Sequence, residues 1–382
     1  MNKKVGILTF SYSSNPGSVL QAYSLQKNIS EIAGCDAEIV NYQKTRAGKP
    51  VIGKTVFMPP VRKWRLKQML EWCARIVAHP MRMYRYEKFF DKYYCGYSPK
   101  PVTRADLPEV DKKYDCFVVG SDQVWNYGSY NVDDTYFLDF VSDGRKKISY
   151  AASFGQKGVP EEKVDRAKEL VADFAAISVR EKSGVETVWQ LCGKKAEWVL
   201  DPSLLTDKVE YRRLAKKPRK QNYVLLYLRE DSEELTECAE KLAEFYGLAV
   251  VKIVKHWMYG KNGKPVRAVG PEEWLGYMDC ASYIVTNSFH GICFSVIFEK
   301  EFFVGLLKNV SVATNPRISE MLESLDIEDR YIEKSCDFAG IRPLDYGRIN
   351  EKKRQRREQS ITYLREAVGR SVSEDDSNLC TT

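Results

Sequence analysis

Two residues of this chain have the types and settings to move a proton and hold an anion. His290 stands in the stretch from Tyr283 to Phe298. There the apolar run Tyr283 to Val285 reads as a buried strand, Thr286 to Phe289 as a polar crossing, and His290-Gly291 as the opening of a helix. A histidine so placed lies beyond the carboxyl end of a strand, where open α/β sheets bind ligands, and near a helix start that favours anions. Arg180 follows another buried run, Ala175 to Val179. Arginine binds carboxylate or phosphate through paired hydrogen bonds, and histidine can give or take a proton near neutral pH. One fixed cation and one proton donor suit an anionic substrate that must be protonated to react. The plainer alternatives are a polar connector whose histidine caps a helix and an arginine in a surface ion pair.

These residues need strands to carry them, and the chain supplies two series. The first has apolar runs at Val5 to Phe10, Ala37 to Tyr42, Asp115 to Gly120, Lys147 to Ala152, Ala175 to Val179 and Ala196 to Leu200. The second has them at Tyr223 to Leu228, Ala249 to Val254, Tyr283 to Val285 and Phe302 to Leu306. Helical periodicity alternates with the strands, so the expected class is α/β, two doubly wound Rossmann-like domains facing across a cleft. Continuous apolar strands fit parallel sheets covered on both faces. The expected divisions are residues 1–207, with an insertion at about 44–105, then 222–344, a long helix at 345–370 and a disordered tail at 371–382. The charged segment Lys208 to Gln221 carries Pro218 and marks the boundary.

Composition narrows the function. The chain has 382 residues, 44% hydrophobic and 29% charged, which is enough for two cores. The amino terminus is too polar for a signal peptide and no apolar run approaches a membrane span, so a cytoplasmic protein is expected. Ten cysteines are scattered without a C-x-x-C pair and histidines number three (His79, His256, His290), which argues against a disulfide frame or a metal site. Between Val61 and Lys88 eight cations stand against two glutamates, with Trp64 and Trp72 interleaved. Such a segment suits an anionic membrane surface or a phosphorylated substrate, or else is a solvated face of a packed helix. A helix of this kind without a recognisable module disfavours nucleic acid.

Six short motifs then occur in order: Gly17-Ser-Val-Leu-Gln-Ala-Tyr23, Gly120-Ser-Asp-Gln-Val-Trp-Asn126, Tyr150-Ala-Ala-Ser-Phe-Gly155, Ser178-Val-Arg-Glu-Lys182, Asp201-Pro-Ser203 and Ser288-Phe-His-Gly291. Together they resemble the polysaccharide pyruvyl transferase family over roughly residues 5 to 333. The resemblance implies a fold like the B-type glycosyltransferases, with the long last helix packing back on the first domain. It implies phosphoenolpyruvate as co-substrate, no cofactor, and transfer to a sugar hydroxyl or diol, usually as a pyruvate ketal. By the same pattern His290 is the general acid and Arg180 belongs to the phosphoenolpyruvate site. Many relatives carry an arginine two residues before that histidine; here Ser288 stands there beside Asn287. Arg317, which begins the next helix of the same domain, is the candidate replacement.

The acceptor is expected on the first domain, at Asn15, Gly17, Ser18, Ser121, Asp122, Trp125 and Asn126, with Trp125 as an aromatic face for a sugar and Asp122 as a base. Asp122 equally reads as a loop carboxylate capping the next turn. A lipid-linked acceptor would bring residues 61–88 against the inner face of a membrane. The competing readings are a nucleotide-sugar glycosyltransferase of the same fold, since fold does not fix chemistry, and a non-catalytic glycan binder.

Overall fold

The structure, a computed structural model, describes residues 2–46, 49–50, 66–129, 132–156, 158–253, 264–308, 315–332, 338 and 342–373, with backbone alone at 45–46, 49–50, 66–77, 264 and 371–373. Trp64, His256, Cys336, Cys380 and positions 374–382 of the expected tail lie outside these residues, as does the Trp72 side chain.

The first half is built on β1 (Lys4–Leu8), α1 (Pro16–Ala33) and β2 (Asp36–Ile39). A two-residue pair, β3 (Thr45–Arg46) and β4 (Lys49–Pro50), precedes α2 (Leu66–Tyr93) and α3 (Leu107–Asp111). Then come β5 (Cys116–Val119), β6 (Lys147–Ser149), α4 (Val164–Ala172), β7 (Ser178–Val179), α5 (Lys182–Cys192) and β8 (Glu197–Trp198). The main sheet has the order β2-β1-β5-β6 with every pair parallel. Bridges Ile148–Ala176 and Ala152–Val179 carry it on to the parallel pair β7-β8. All four residues of β5 are buried, as a central strand covered on both faces requires.

After α6 (Lys208–Leu214) the second half runs β9 (Tyr223–Tyr227), α7 (Glu233–Phe245), β10 (Ala249–Ile253), β11 (Lys264–Val266) and α8 (Pro271–Cys280). It continues through β12 (Tyr283–Thr286), α9 (Phe289–Ile297), β13 (Glu301–Val304) and α10 (Pro316–Ser324) to α11 (Tyr346–Ser373). Its parallel sheet has the order β11-β10-β9-β12-β13. Strand order therefore reverses between β1 and β5 in one sheet and between β9 and β12 in the other. Those two reversals are the switch points at which α/β sheets open a crevice.

One apolar cluster joins the halves, running from Val5 and Leu20 through Phe89 and Tyr211 to Ile284 and Phe302. Helix α1 lies at its centre and touches α8, α9 and α11. Helix α11 returns to the first half: Tyr363 donates to the Ser149 carbonyl at 2.8 Å, Arg357 to the Leu205 carbonyl at 2.8 Å, and the Leu200 N–H to Ser360 at 3.0 Å.

Three local features differ from the sequence expectation. The basic helix and a second one beginning near Met81 form a single helix, α2, that continues through Pro80. Proline removes one hydrogen bond and crowds the preceding turn, but Tyr86, Phe89, Phe90 and Tyr94 are buried and hold the second part in place. The expected boundary segment contains α6, whose two buried residues, Tyr211 and Leu214, are too few to show a period. The short edge strand β11 carried no sequence signal. Cations of the basic segment also turn inward, since Arg85 donates to the Ala268 carbonyl at 2.6 Å and Arg82 donates to the Ser14 carbonyl. No helix among the described residues is long and apolar enough to cross a membrane.

Candidate active site

The loops after β1 and β5 build one wall. Asn15 caps α1 by accepting from the Gly17 N–H at 3.2 Å, and Pro16 fills the first turn, where its missing N–H costs nothing. Gly120 has φ of 116°, and a Cβ there would stand 2.1 Å from the Tyr150 carbonyl oxygen, so only glycine fits. Ser121 then donates from its hydroxyl to Asp201 at 3.0 Å and from its backbone N–H to the Gln21 side-chain oxygen at 3.2 Å. Asp122 adopts φ of 70°, a left-handed conformation that aspartate tolerates better than most residues. Its carboxylate accepts from Ser18 at 2.6 Å and from the Gln123 N–H at 2.9 Å.

The turn after β12 builds the other wall. Thr286 donates to the Tyr227 carbonyl at 2.6 Å and accepts from the Ser288 N–H at 3.1 Å, which fixes where the strand ends. Ser288 caps α9 by accepting from the Gly291 N–H at 3.3 Å. His290 thus sits in the first turn of α9, 5% exposed. The two walls meet at one point. A Cβ on Gly17 would lie 2.4 Å from Cβ and Cγ of His290 and 2.6 Å from its Nδ1. The absence of a side chain at position 17 is what lets the two helix amino ends, one from each switch point, abut.

A buried charge cluster supports this junction. The Arg180 side chain is 1% exposed and donates to Asp201 at 3.0 Å and to Glu181 at 3.4 Å, with Asp122 3.7 Å away. Its guanidinium also lies 4.3 Å from the centre of the Phe289 ring. Burial works against the Arg180 charge, but Glu181, Asp201 and Asp122 outweigh it and raise its pKa. Burial likewise opposes the Asp122 carboxylate; Arg180, His290 and the Ser18 hydroxyl overcome this and hold it well below the usual carboxylate range. Asp201 is lowered in the same way against burial, chiefly by His290 and Arg180. Glu181 goes the other way, because its burial prevails. Arg317 is brought down to about 9 by burial and by the neighbouring Arg180, and so remains a cation at neutral pH.

His290 keeps an unanswered nitrogen in this cluster, as does Arg180, whose Nη2 finds no hydrogen-bond partner among the described residues. The His290 Nε2 lies 3.8 Å from the Asp201 carboxylate and finds no hydrogen-bond partner among the described residues. Burial lowers its pKa more than Asp201 and Asp122 raise it, so the resting imidazole is neutral. A buried ring nitrogen without a partner is costly and marks a place where a reacting group can be met.

The structure brings together His290, Arg180, Arg317, Asp122, Ser18, Ser121 and Gly17, and it changes several of the roles expected for them. Arg180 faces three carboxylates inside the protein and so anchors the junction, and it also lines a small cavity with Arg317 and Arg356 and keeps Nη2 without a hydrogen-bond partner among the described residues. Asp122, with so low a pKa, is a weak base and serves as a partner for Ser18 and Arg180. Trp125 offers no face to a sugar. It is 1% exposed, stacks on Phe137 at 5.6 Å, packs on Phe154 and Phe174, and donates to the Tyr136 carbonyl at 3.1 Å. Asn126 is taken up by the Gly128 N–H, which donates to its side-chain oxygen at 3.0 Å. Asn287 ties down the loop after β9, accepting from the Arg229 N–H at 2.7 Å and donating to the Glu230 carbonyl at 2.8 Å. Arg317 lies 5.8 Å from the Phe289 ring centre, and a Gln123 amide turned to face it accepts at 2.9 and 3.0 Å.

Sequence reasoning passed over Asp201, Glu181, Gln21 and Gln123 as site residues. Asp201 was visible only as a strand-end acid in Asp201-Pro-Ser203, and its role needs the fold that carries it to His290. No group of three or more metal-ligating side chains is found among the described residues.

The fold and the junction define a two-sheet α/β protein with one buried histidine where both switch points meet. The chain belongs to the polysaccharide pyruvyl transferase family, whose sequence model matches residues 15–304. That span includes Gly17, Asp122, Arg180, Asp201 and His290, and ends within β13. No curated protein matches the chain. Among solved structures it is similar to the UDP-GlcNAc 2-epimerase of Methanocaldococcus jannaschii in complex with UDP-GlcNAc and UDP, at 12% identity over 98% of this chain and 93% of that one, TM-score 0.44. It is similar also to the UDP-GlcNAc 2-epimerase of Neisseria meningitidis bound to UDP-GlcNAc, at 11% identity over 94% and 100%, TM-score 0.47. Likenesses this distant say nothing of substrate or reaction.

Proposed function

We propose that this pyruvyl transferase takes its pyruvyl group from phosphoenolpyruvate, passes it to a sugar diol as a ketal and releases phosphate. The observation that carries the reading is the unpartnered, buried Nε2 of His290 at the junction of the two helix amino ends. Protonation of the donor's methylene carbon turns it into a methyl group and leaves an oxocarbenium centre at the neighbouring carbon. A sugar hydroxyl oxygen bonds to that centre and gives up its proton. The second hydroxyl then displaces phosphate and its proton leaves with it, so one molecule each of donor and diol gives one ketal and one phosphate.

His290 supplies the first proton. Its resting neutrality suits the task, because an anionic donor alongside favours the imidazolium form. Donor binding thereby loads the acid, and an empty site keeps it unloaded. Asp201, 3.8 Å from Nε2, favours the same form and orients the ring. Arg180 holds Asp201 and Asp122 in place, and Arg317 adds positive charge on the Phe289 side. The acceptor enters along the loops of the first half, at 11–15 and 120–126.

A phosphate-release screen of phosphoenolpyruvate against galactose-, mannose- and glucosamine-containing acceptors tests the reading. Phosphate release with at least one acceptor, accompanied by a new ketal methyl signal in the proton spectrum, is expected. Thermal stabilisation by nucleotide-sugars and none by phosphoenolpyruvate would replace it with a glycosyltransferase.

A further inference from the structure

A cavity of about 40 Å³ lies beside the junction, lined among others by Asn15, Arg82, Tyr227, Arg229, Trp274 and Ser288. Its walls come from at least four separate parts of the chain. Arg82 projects from α2, Arg229 from the loop after β9, and Asn15 and Ser288 are the caps of α1 and α9. Two guanidinium groups and two helix amino ends therefore converge on one small space. Each of these favours negative charge, and guanidinium adds a planar fork that fits phosphate oxygens.

Two further observations point to a ligand. Trp274 is wholly buried, and its indole N–H, which can only donate, has no partner among the described residues. The Trp274 ring lines the cavity, and an unanswered donor beside it favours an acceptor oxygen nearby. No carboxylate is among the described residues that line the space, whereas Arg180 next door is surrounded by Asp122, Asp201 and Glu181. An anion is repelled from the Arg180 cluster and attracted to the cavity. Arg229 is exposed and makes no ion pair among the described residues. Arg82 donates to the Ser14 carbonyl, which also accepts from Tyr86 at 3.0 Å, so α2 fixes the loop that leads into α1.

We infer that this cavity is the subsite for the phosphate group of the donor, with Arg229 as its ligand from the second half and Arg82 as its ligand from the insertion. The inference rests on the proposed donor. The space is far smaller than the roughly 300–1,000 Å³ that encloses a whole drug-sized ligand, so it takes one group and leaves the rest of the molecule in reach of His290, two residues beyond Ser288. It also gives the insertion a function: the helix that carries Arg82 completes the donor site.

The test is titration calorimetry on the full chain with phosphoenolpyruvate and, separately, inorganic phosphate, for the wild type, Arg229→Ala and Arg229→Lys. Both ligands are expected to bind Arg229→Ala at least about tenfold more weakly, as for loss of a charge-assisted hydrogen bond. Arg229→Lys recovers part of the loss, and the acceptor KM does not move. Because Arg229 is exposed, the melting temperature of both variants stays at the wild-type value. Arg229→Ala binding inorganic phosphate as tightly as the wild type overturns the subsite. A wild type that binds phosphate through Arg229 but ignores phosphoenolpyruvate keeps the anion subsite and removes the proposed donor. A wild type that binds neither overturns both.

Discussion

Two arginine-bearing regions flank His290, and they differ in the described side chains that surround them. Around Arg180 the protein supplies three carboxylates and an aromatic face, and the guanidinium is 1% exposed. The described residues lining the cavity beside Arg229 and Arg82 include the caps of α1 and α9, no carboxylate, and Trp274, whose indole N–H is unpartnered among the described residues. Each region keeps one unanswered donor, Nη2 of Arg180 in the first and the indole N–H of Trp274 in the second, and what separates them is the carboxylates of the first. Under the proposed subsite the same residue type does two jobs: in one place it holds the site together, and in the other it receives the ligand. Position at a strand end does not separate these roles; the company each arginine keeps does.

The sharpest way to break this comparison is Arg180→Ala. It leaves Asp122, Asp201 and Glu181 buried without their common cation, a change that typically costs about 3–5 kcal/mol. A large fall in the urea midpoint is expected. Unchanged stability together with a raised donor KM would make Arg180 a ligand and erase the distinction.

Gly17→Ala comes next, since its methyl would fall 2.4 Å from the His290 ring. Overpacking of this kind costs about 1–3 kcal/mol, and displacing the acid should cut turnover at least about tenfold. Full turnover in Gly17→Ala would mean that contact between the two helix ends does not position His290.

A gentler change, Asp201→Asn, keeps the shape and removes a charge 3.8 Å from Nε2. Asp201 raises the His290 pKa, so its loss lowers that pKa further. In kcat/KM against pH, the alkaline limb, where the acid loses its proton, moves to lower pH. An unmoved limb would assign it to another group.

The smallest effect is on stability against pH. The folded pKa of His290 lies below its ordinary 6.5, so just under that value the unfolded chain binds more protons than the folded one. Stability contributed by the neutral buried ring is then complete above 6.5 and lost as pH falls through the folded pKa. Denaturation measured at several pH values should show a decline below about 6.5 that is shallower in His290→Gln. Parallel curves for the two proteins would contradict the burial described for this ring.

Much of the architecture was legible because parallel strands covered on both faces read as unbroken apolar runs, as Cys116–Val119 and Tyr223–Tyr227 do. His290 was legible by its place after such a run. What the sequence could not convey was direction and company. Trp125 follows a strand as a ligand-facing aromatic would, yet its ring enters the core against Phe137. Asp201 and Arg180 are 21 residues apart and become partners only when β7 and β8 pair. Arg82 and Arg229 were harder still. One sat in a basic run that resembled a solvated or membrane-facing helix, and the other in a loop without a motif. Only tertiary packing sets them around the caps of α1 and α9. Ser288, which departs from the family pattern, shares a cavity wall with both.

The central claim is that His290 delivers the proton at a junction the rest of the fold maintains. Phosphate release from phosphoenolpyruvate by His290→Ala, with the melting temperature recorded on the same sample, tests it most directly. The account predicts a folded protein whose turnover falls by about a hundred- to ten-thousand-fold, the usual weight of a general acid. Wild-type turnover from a folded His290→Ala protein would contradict it.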